Sequence, residues 1–338
     1  MKIRILYGVF AVSFVIGALS VASLSQSNRG TSATKRQTLL AMLPASDAVA
    51  LVKVKRVLDD ALPKLLSGNT AKLAEVQSSI ERFKIRTGLD PGAFDELALG
   101  MRYSYPAEGL AKIDMVAVAR GNFNAGAMIA AGRGAATGKY REEKYQGRTV
   151  YIFTLDQELK LLGLIDVRIR ELAVCPLDRN TLALGDAKSV RGAIDANKGS
   201  RGANADLIAL ASQNPNAIIG FGGNISPSLF QSFRISNDSV AQDLAAVKQV
   251  YGSLGLTDKD LEVMVAARTL NANSARSLSD TVEGLKQFGA LFINQLSAKK
   301  GTLARSALAN LKITTQGNEL QIRTAVAQAD VAPLMGGF

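Results

Sequence analysis

Short runs of apolar residues recur along this chain from Leu39 to its end, separated by amphipathic stretches. That rhythm restricts the body to a mixture of sheet and helix. The runs at 48–54 (AVALVKV), 96–103 (ELALGMRY), 114–120 (DMVAVAR), 148–155 (RTVYIFTL), 172–178 (LAVCPLD) and 181–185 (TLALG) carry the β-branched and alternating pattern of strands. So do 217–223 (AIIGFGG), 250–256 (VYGSLGL), 261–268 (LEVMVAAR), 311–315 (LKITT) and 319–326 (ELQIRTAV). Leu73, Val76, Ile80 and Phe83 recur at helical spacing, and a second helix is expected over 188–197.

The two halves of the chain echo each other. SDAVALVKV from Ser46 parallels PNAIIGFGG from Pro215, and DMVAVARGNFNA from Asp114 parallels EVMVAARTLNAN from Glu262. YQGRTVYIF from Tyr145 parallels TQGNELQIR from Thr315, with Gly147 and Gly317 as the turn glycines of two hairpins. Three matches in the same order predict an α+β fold of two diverged repeats, each a mainly antiparallel sheet with helices packed on one face. The repeats are expected over 39–200 and 201–338, divided within ANKGSRGANAD (196–206), where glycine, asparagine and charge cluster.

Residues 1–22 combine a basic start (Lys2, Arg4), an apolar run from Ile5 and small residues at Ser20 and Ala22. This is the build of a secretory signal peptide cut after Ala22. An N-terminal anchor through residues 5–22 is the alternative, since that length is close to the shortest that spans a bilayer. The polar, Ser/Thr-rich residues 23–38 read as a flexible linker. Export to the periplasm or the extracellular side follows. At DRNTLALGDAKSVRGAID and VEGLKQFGALFIN the chain resembles exported bacterial proteins of unknown function built from repeated strand–helix units. That resemblance brings no catalytic residues with it.

Charge and composition narrow the chemistry. The net charge of +11 draws part of its excess from the acid-free N-terminus (Lys2, Arg4, Arg29, Lys35, Arg36), and no concentrated basic face of the kind that binds nucleic acid is evident. Mild basicity also suits anionic lipid headgroups. The chain has no histidine and a single cysteine, Cys175, so imidazole-based triads, cysteine–histidine zinc sites and internal disulfides are excluded. Cys175 sits in ELAVCPLD and reads as a small buried hydrophobe.

Three motif-like segments fail on their required groups. In AAGRGAATGKY (130–140) the glycine-to-Gly-Lys spacing does not fit a P-loop, and Tyr140 stands where a hydroxyl ligand to magnesium is needed. We expect a glycine-rich helix exit there, with Gly132 and Gly134 supplying unrestricted backbone angles. GFGGN (220–224) lacks the third glycine of a dinucleotide fingerprint and instead permits close packing in a strand. Ser297 and Lys300 satisfy S-x-x-K, but their companion motifs are out of order, leaving a basic helix end. The acidic pairs Asp59–Asp60, Glu142–Glu143 and Asp258/Asp260 would serve acid–base work only if a cleft gathered them. No catalytic, cofactor-binding or metal-ligating residue is assigned, and no cofactor or nucleotide is expected.

After Asn273, the residues Leu278, Val282, Leu285, Phe292 and Leu296 form one helical stripe. Asn273 or Ser274 is expected to cap this helix, and Lys299, Lys300 and Gly301 to end it. The stripe is expected to cover the second-half sheet as a structural element. Together these features favour an exported, non-enzymatic interaction or scaffolding protein of the cell envelope, with an envelope protein or the membrane surface as partner. The alternatives are a carrier of an apolar, lipid-like ligand in a groove between sheet and helix, and, third, a carboxylate-based hydrolase.

Overall fold

A computed structural model describes residues 38–87, 90–107, 110–136, 138–161, 165–226, 238–293 and 298–331. The signal-like segment 1–22 and nearly all of the linker lie outside these. The strands, in chain order, are β1 (Ala48–Val52), β2 (Phe94–Ala107), β3 (Leu110–Gly121), β4 (Tyr140–Tyr145), β5 (Arg148–Leu161), β6 (Ile165–Asp178), β7 (Thr181–Gly185), β8 (Ile219–Asn224), β9 (Val247–Leu256), β10 (Asp260–Thr269), β11 (Lys312–Gln316) and β12 (Glu319–Ala327). The fold is α+β, and its strands join in one twelve-stranded sheet of order β11-β12-β10-β9-β8-β1-β2-β3-β7-β6-β5-β4. All of the pairings between these strands are antiparallel.

The two halves meet at the centre of this sheet rather than forming separate ones. β1 pairs with β2 on one side and with β8 on the other, Ala48 lying opposite Gly223 and Val52 opposite Ile219. Two of the sequence matches thus fall on strands at equal distance from the seam: β1 with β8, and β3 with β10, each third from the join and followed by a helix. The third match departs from this pattern. The β11–β12 hairpin lies directly against β10, whereas β6 and β7 separate β5 from β3. The hairpin turns differ as well. Gln146 and Gly147 both take positive φ (51° and 75°), whereas in the second turn Gly317 (58°) takes it and Asn318 does not. These are the signatures of type I′ and type II′ turns, the two whose twist suits a tight hairpin.

The helices are α1 (54–65, with a π-helical turn at Val57–Ala61), α2 (Thr70–Thr87), α3 (Ala125–Ala136), α4 (Ala187–Asn197), α5 (Ala205–Ala211), α6 (Asp238–Ala245), α7 (Ala272–Phe292), α8 (Ala298–Ala309) and α9 (Gln328–Val331). They lie on both faces of the sheet, not on one. On the first face the 3-10 turn Leu39–Met42, α4 and α5 pack over Val49, Ala98, Val116, Ala183 and Tyr251. On the opposite face α1 and α2 cover Ala50, Leu99, Ile219 and Leu254. There α3 covers Phe153, Val174 and Leu182, and α7 covers Leu320 with Ile322 and Ala267. The first-face core draws Ile194 from one half and Leu207 and Tyr251 from the other. The junction near 200 is itself fastened, through a bridge between Pro44 and Gly202.

Glycine sets how closely α5 can approach. A Cβ on Gly220 would lie 2.1 Å from the carbonyl oxygen of Ala211, and one on Gly222 would lie 2.9 Å from the Leu210 side chain. The glycines of GFGGN therefore serve close packing, as expected. The glycine-rich segment 130–140 differs from expectation. Gly132 and Gly134 lie inside α3, and Gly138 (φ 84°) supplies the left-handed exit. Gly132 faces the Phe153 ring, which a Cβ would meet in ordinary contact at 3.6 Å, so this glycine serves neither a turn nor a close approach.

Candidate functional site

Among the described residues Ile85, Leu270, Leu285 and Phe288 are exposed large hydrophobics, and the last two lie about one turn apart on α7. Its cap is Asn271, whose side-chain oxygen accepts a hydrogen bond from the Ser274 backbone N–H (3.0 Å). That is two residues earlier than the expected cap, because β10 ends at Thr269 and leaves Asn271 in extended geometry. The first turns are anchored. Ala275 and Leu278 (4% exposed) are buried, and Val282 packs beside Leu278 against Leu320 and Ile322. Asp243 of α6, 8% exposed, accepts hydrogen bonds from Ser277 Oγ (2.7 Å) and Thr281 Oγ1 (2.6 Å), tying α6 to α7.

Beyond Val282 the environment changes. Leu285 lies two turns from Leu278 at nearly the same azimuth, yet it is 57% exposed, and Phe288 is 60% exposed. By this point α7 has run the length of β11: Lys286 Nζ lies 3.4 Å from the carbonyl oxygen of Leu311, the residue just before that strand. The stripe was expected to be covered throughout, and Leu285 corrects this. Leu296 lies outside the described residues. Lys299 and Lys300 open α8 instead of closing α7, so they sit at the positive end of a helix dipole, not at the favourable end. A cleft of about 430 Å³ runs between α7 and α8, lined by Lys286, Ala290, Ile293, Arg305 and Leu308. Residues 284–312 contain Lys286, Lys299, Lys300, Arg305 and Lys312 and no acidic residue.

Four of the acidic residues singled out in the sequence are held in ordinary ion pairs. Asp60 pairs with Arg56 (3.7 Å) and Asp258 with Lys64 (3.1 Å). On β4, Glu142 pairs with Arg133 (3.3 Å) and Glu143 with Arg191 (2.6 Å). Among the described residues, no group of three or more His, Cys, Asp or Glu side chains is placed to hold a metal ion. Cys175 is fully buried, and burial pushes its thiol pKa up to about 11 against a smaller opposing pull from Arg148. Ser297 lies outside the described residues.

One polar network had no sequence signal. The buried Tyr251 donates to Glu319 Oε1 (2.5 Å), Glu319 Oε2 receives Arg268 Nε (3.0 Å), and the Arg268 guanidinium lies over the Tyr251 ring (5.3 Å). Burial and then the hydrogen bond to Glu319 raise the phenol pKa. Its members are brought together across β9, β10 and β12 by strand register alone. Beyond it the first face is open. Ser253, Glu262, Met264, Gln321 and Arg323 line a shallow polar depression of about 480 Å³.

Among the described residues, no helix is long and apolar enough to cross a membrane. No protein-family model and no curated protein matches the chain. Solved structures similar to it include crystal form III of TP0453, at TM-score 0.46 and 8% identity over 88% of this chain and 98% of that one. Crystal form IV of TP0453 gives TM-score 0.45 and 9% identity over 88% and 96%.

Proposed function

We propose that this chain is an exported, non-enzymatic interaction protein of the cell envelope whose α7–α8 hairpin rests on an anionic membrane surface. The observation that carries this reading is the pairing of exposed apolar side chains, Leu285 and Phe288, with the stretch 284–312 that runs on from them, which holds five basic residues and no acid. The nearest acid, Glu283 just before it, pairs with Lys286 (3.2 Å). Apolar side chains gain by entering the boundary between headgroups and acyl chains, while nearby lysines and arginines each add about 1 kcal/mol against anionic lipid. Export rests on the N-terminal pattern, and a mature chain beginning at Ser23 is the form to test. Co-sedimentation with phosphatidylcholine vesicles, with and without phosphatidylglycerol, gives the measurement. Binding should require the anionic lipid, weaken with salt, and fall in the Leu285→Ser/Phe288→Ser double variant. Failure to bind anionic vesicles at low salt would remove the reading.

The α7–α8 cleft supports a second reading, a carrier of one apolar chain with an anionic head. Its floor is Ala290, Ile293 and Leu308, with Arg305 placed to meet the head and Lys286 beside it, paired with Glu283 (3.2 Å). Mass spectrometry of lipid that stays with the mature chain through gel filtration separates the two, since a surface-binding protein retains none.

A further inference from the structure

The sheet ends in two edges that are treated very differently. β4 carries Arg141, Glu142, Glu143 and Lys144 in succession, and each is engaged by its own chain. Their partners are Glu171 (2.5 Å), Arg133 (3.3 Å), Arg191 (2.6 Å) and Thr149 (2.6 Å). Charged side chains of this kind blunt an edge against pairing with another strand. Any two-fold pairing of β4 centred on one of these four residues would set a charge against its own copy, which is unfavourable for directly opposed residues.

At the other edge β11 reads Lys312-Ile-Thr-Thr-Gln316, with one charge, at its end. Lys312, Thr314, Thr315 and Gln316 are exposed on both faces of the strand, and Ile313 is packed with the Leu278 cluster beneath α7. Among the described residues, no strand pairs with its outer side. β11 and β12 close through the two-residue turn Gly317–Asn318, with Gln316 opposite Glu319. In such a hairpin the closing pair exchanges both hydrogen bonds, and hydrogen-bonded pairs then alternate along the ladder. Gln316, Thr314 and Lys312 therefore turn their backbone groups toward β12, and Ile313 and Thr315 turn theirs outward.

We propose that β11 is the docking edge for β11 of a second copy of this chain, the two strands pairing antiparallel about a two-fold axis at Thr314. This register uses the whole strand. Ile313 of each copy faces Thr315 of the other, and these two pairs supply four outward backbone hydrogen bonds. Thr314 faces Thr314, and Lys312 faces the uncharged Gln316, so no like charges oppose each other. Threonine pairs and β-branched pairs stabilise antiparallel strands. Main-chain hydrogen bonding along an exposed edge is an established mode of recognition. The sheet then continues from one copy into the next.

The single native cysteine is fully buried, which makes site-directed disulfide trapping of the full chain clean. At a non-hydrogen-bonded antiparallel pair the Cα atoms are about 4.5 Å apart, within the roughly 4.4–6.8 Å that a disulfide bridges. Thr314→Cys should oxidise rapidly to a covalent dimer. Lys312→Cys should not, since its copies would lie about 14 Å apart by strand rise. Sedimentation equilibrium of the unmodified chain should show a dimer. Thr315→Pro, which removes an outward N–H that β12 does not use, should return it to monomer with unchanged circular dichroism. A monomer at every concentration, equal trapping at 312 and 314, or a dimer that survives Thr315→Pro but is lost in Phe288→Ser would overturn the proposal. The last outcome would place the contact on α7, and vesicle binding by a monomer would leave the membrane reading standing alone.

Discussion

Replacing Gly220 by alanine forces a choice between β8 and α5. The new Cβ would stand 2.1 Å from the Ala211 carbonyl oxygen and 3.2 Å from its carbon. These are backbone atoms, so no rotamer change relieves the contact. Helix α5 would have to lift, and it is held by Leu207, Leu210 and Ala211, all buried in the core shared by the two halves. Overpacking of this kind costs roughly 1–3 kcal/mol. An unfolding entropy near 2.1 cal/mol/K per residue over roughly 300 residues gives about 0.6 kcal/mol per kelvin. The expected fall in melting temperature is then about 2–5 °C. Gly255 on the adjacent β9 is the control, because a Cβ there meets nothing closer than Glu262 Oε2 at 3.7 Å. Gly255→Ala should be neutral or stabilising by about 0.4–1 kcal/mol, through the unfolded chain. Differential scanning calorimetry of both variants decides the matter. If Gly220→Ala melts with the parent, or if Gly255→Ala falls just as far, the close approach of α5 does not set the stability of this seam.

Along α7, Leu278→Ala should cost about 2–5 kcal/mol. Leu285→Ala should change stability by no more than about 0.5 kcal/mol, as for surface positions, and thermal melts of the two variants check this contrast. For Cys175 the raised thiol pKa, near 11, means that the folded state holds its proton where the unfolded chain, near 8.5, releases it. That contribution to stability is complete below about pH 8.5 and is lost as pH rises toward the folded value, at up to about 1.4 kcal/mol per pH unit. Parent and Cys175→Ala should therefore converge in melting temperature between pH 8 and 11; a constant gap would refute the assignment.

The strands were legible because period-two alternation survives wherever one face differs from the other, as in β10 and β12. The placement of helices on both faces was not. In β1, Val49 is buried on one face and Ala50 on the other, so the run AVALV holds no information about which face a helix will cover. For the edge strand β4 only the Gly147 turn gave a signal, because YREEKY has the charge of a loop, and that charge is what an edge requires. For α7, periodicity fixed the azimuth of Leu285, but how far the sheet extends beneath it depends on the position of Leu311. The Tyr251–Glu319–Arg268 network joins residues far apart in sequence and follows only from the register of three strands.

The central seam also dictates when this protein can finish folding. β1 is the first strand of the described chain, yet one of its neighbours, β8, belongs to the second half. Until Ile219–Asn224 is available, the N-terminal half presents β1 as a bare edge, and the core beneath Leu40 and Leu43 lacks Leu207 and Tyr251. Long-range pairings of this kind slow folding, because loop-closure entropy is lost before the contacts that offset it can form. A chain that must cross a membrane before folding would gain from that delay, since its first half has no complete structure to commit to while the second half is still arriving.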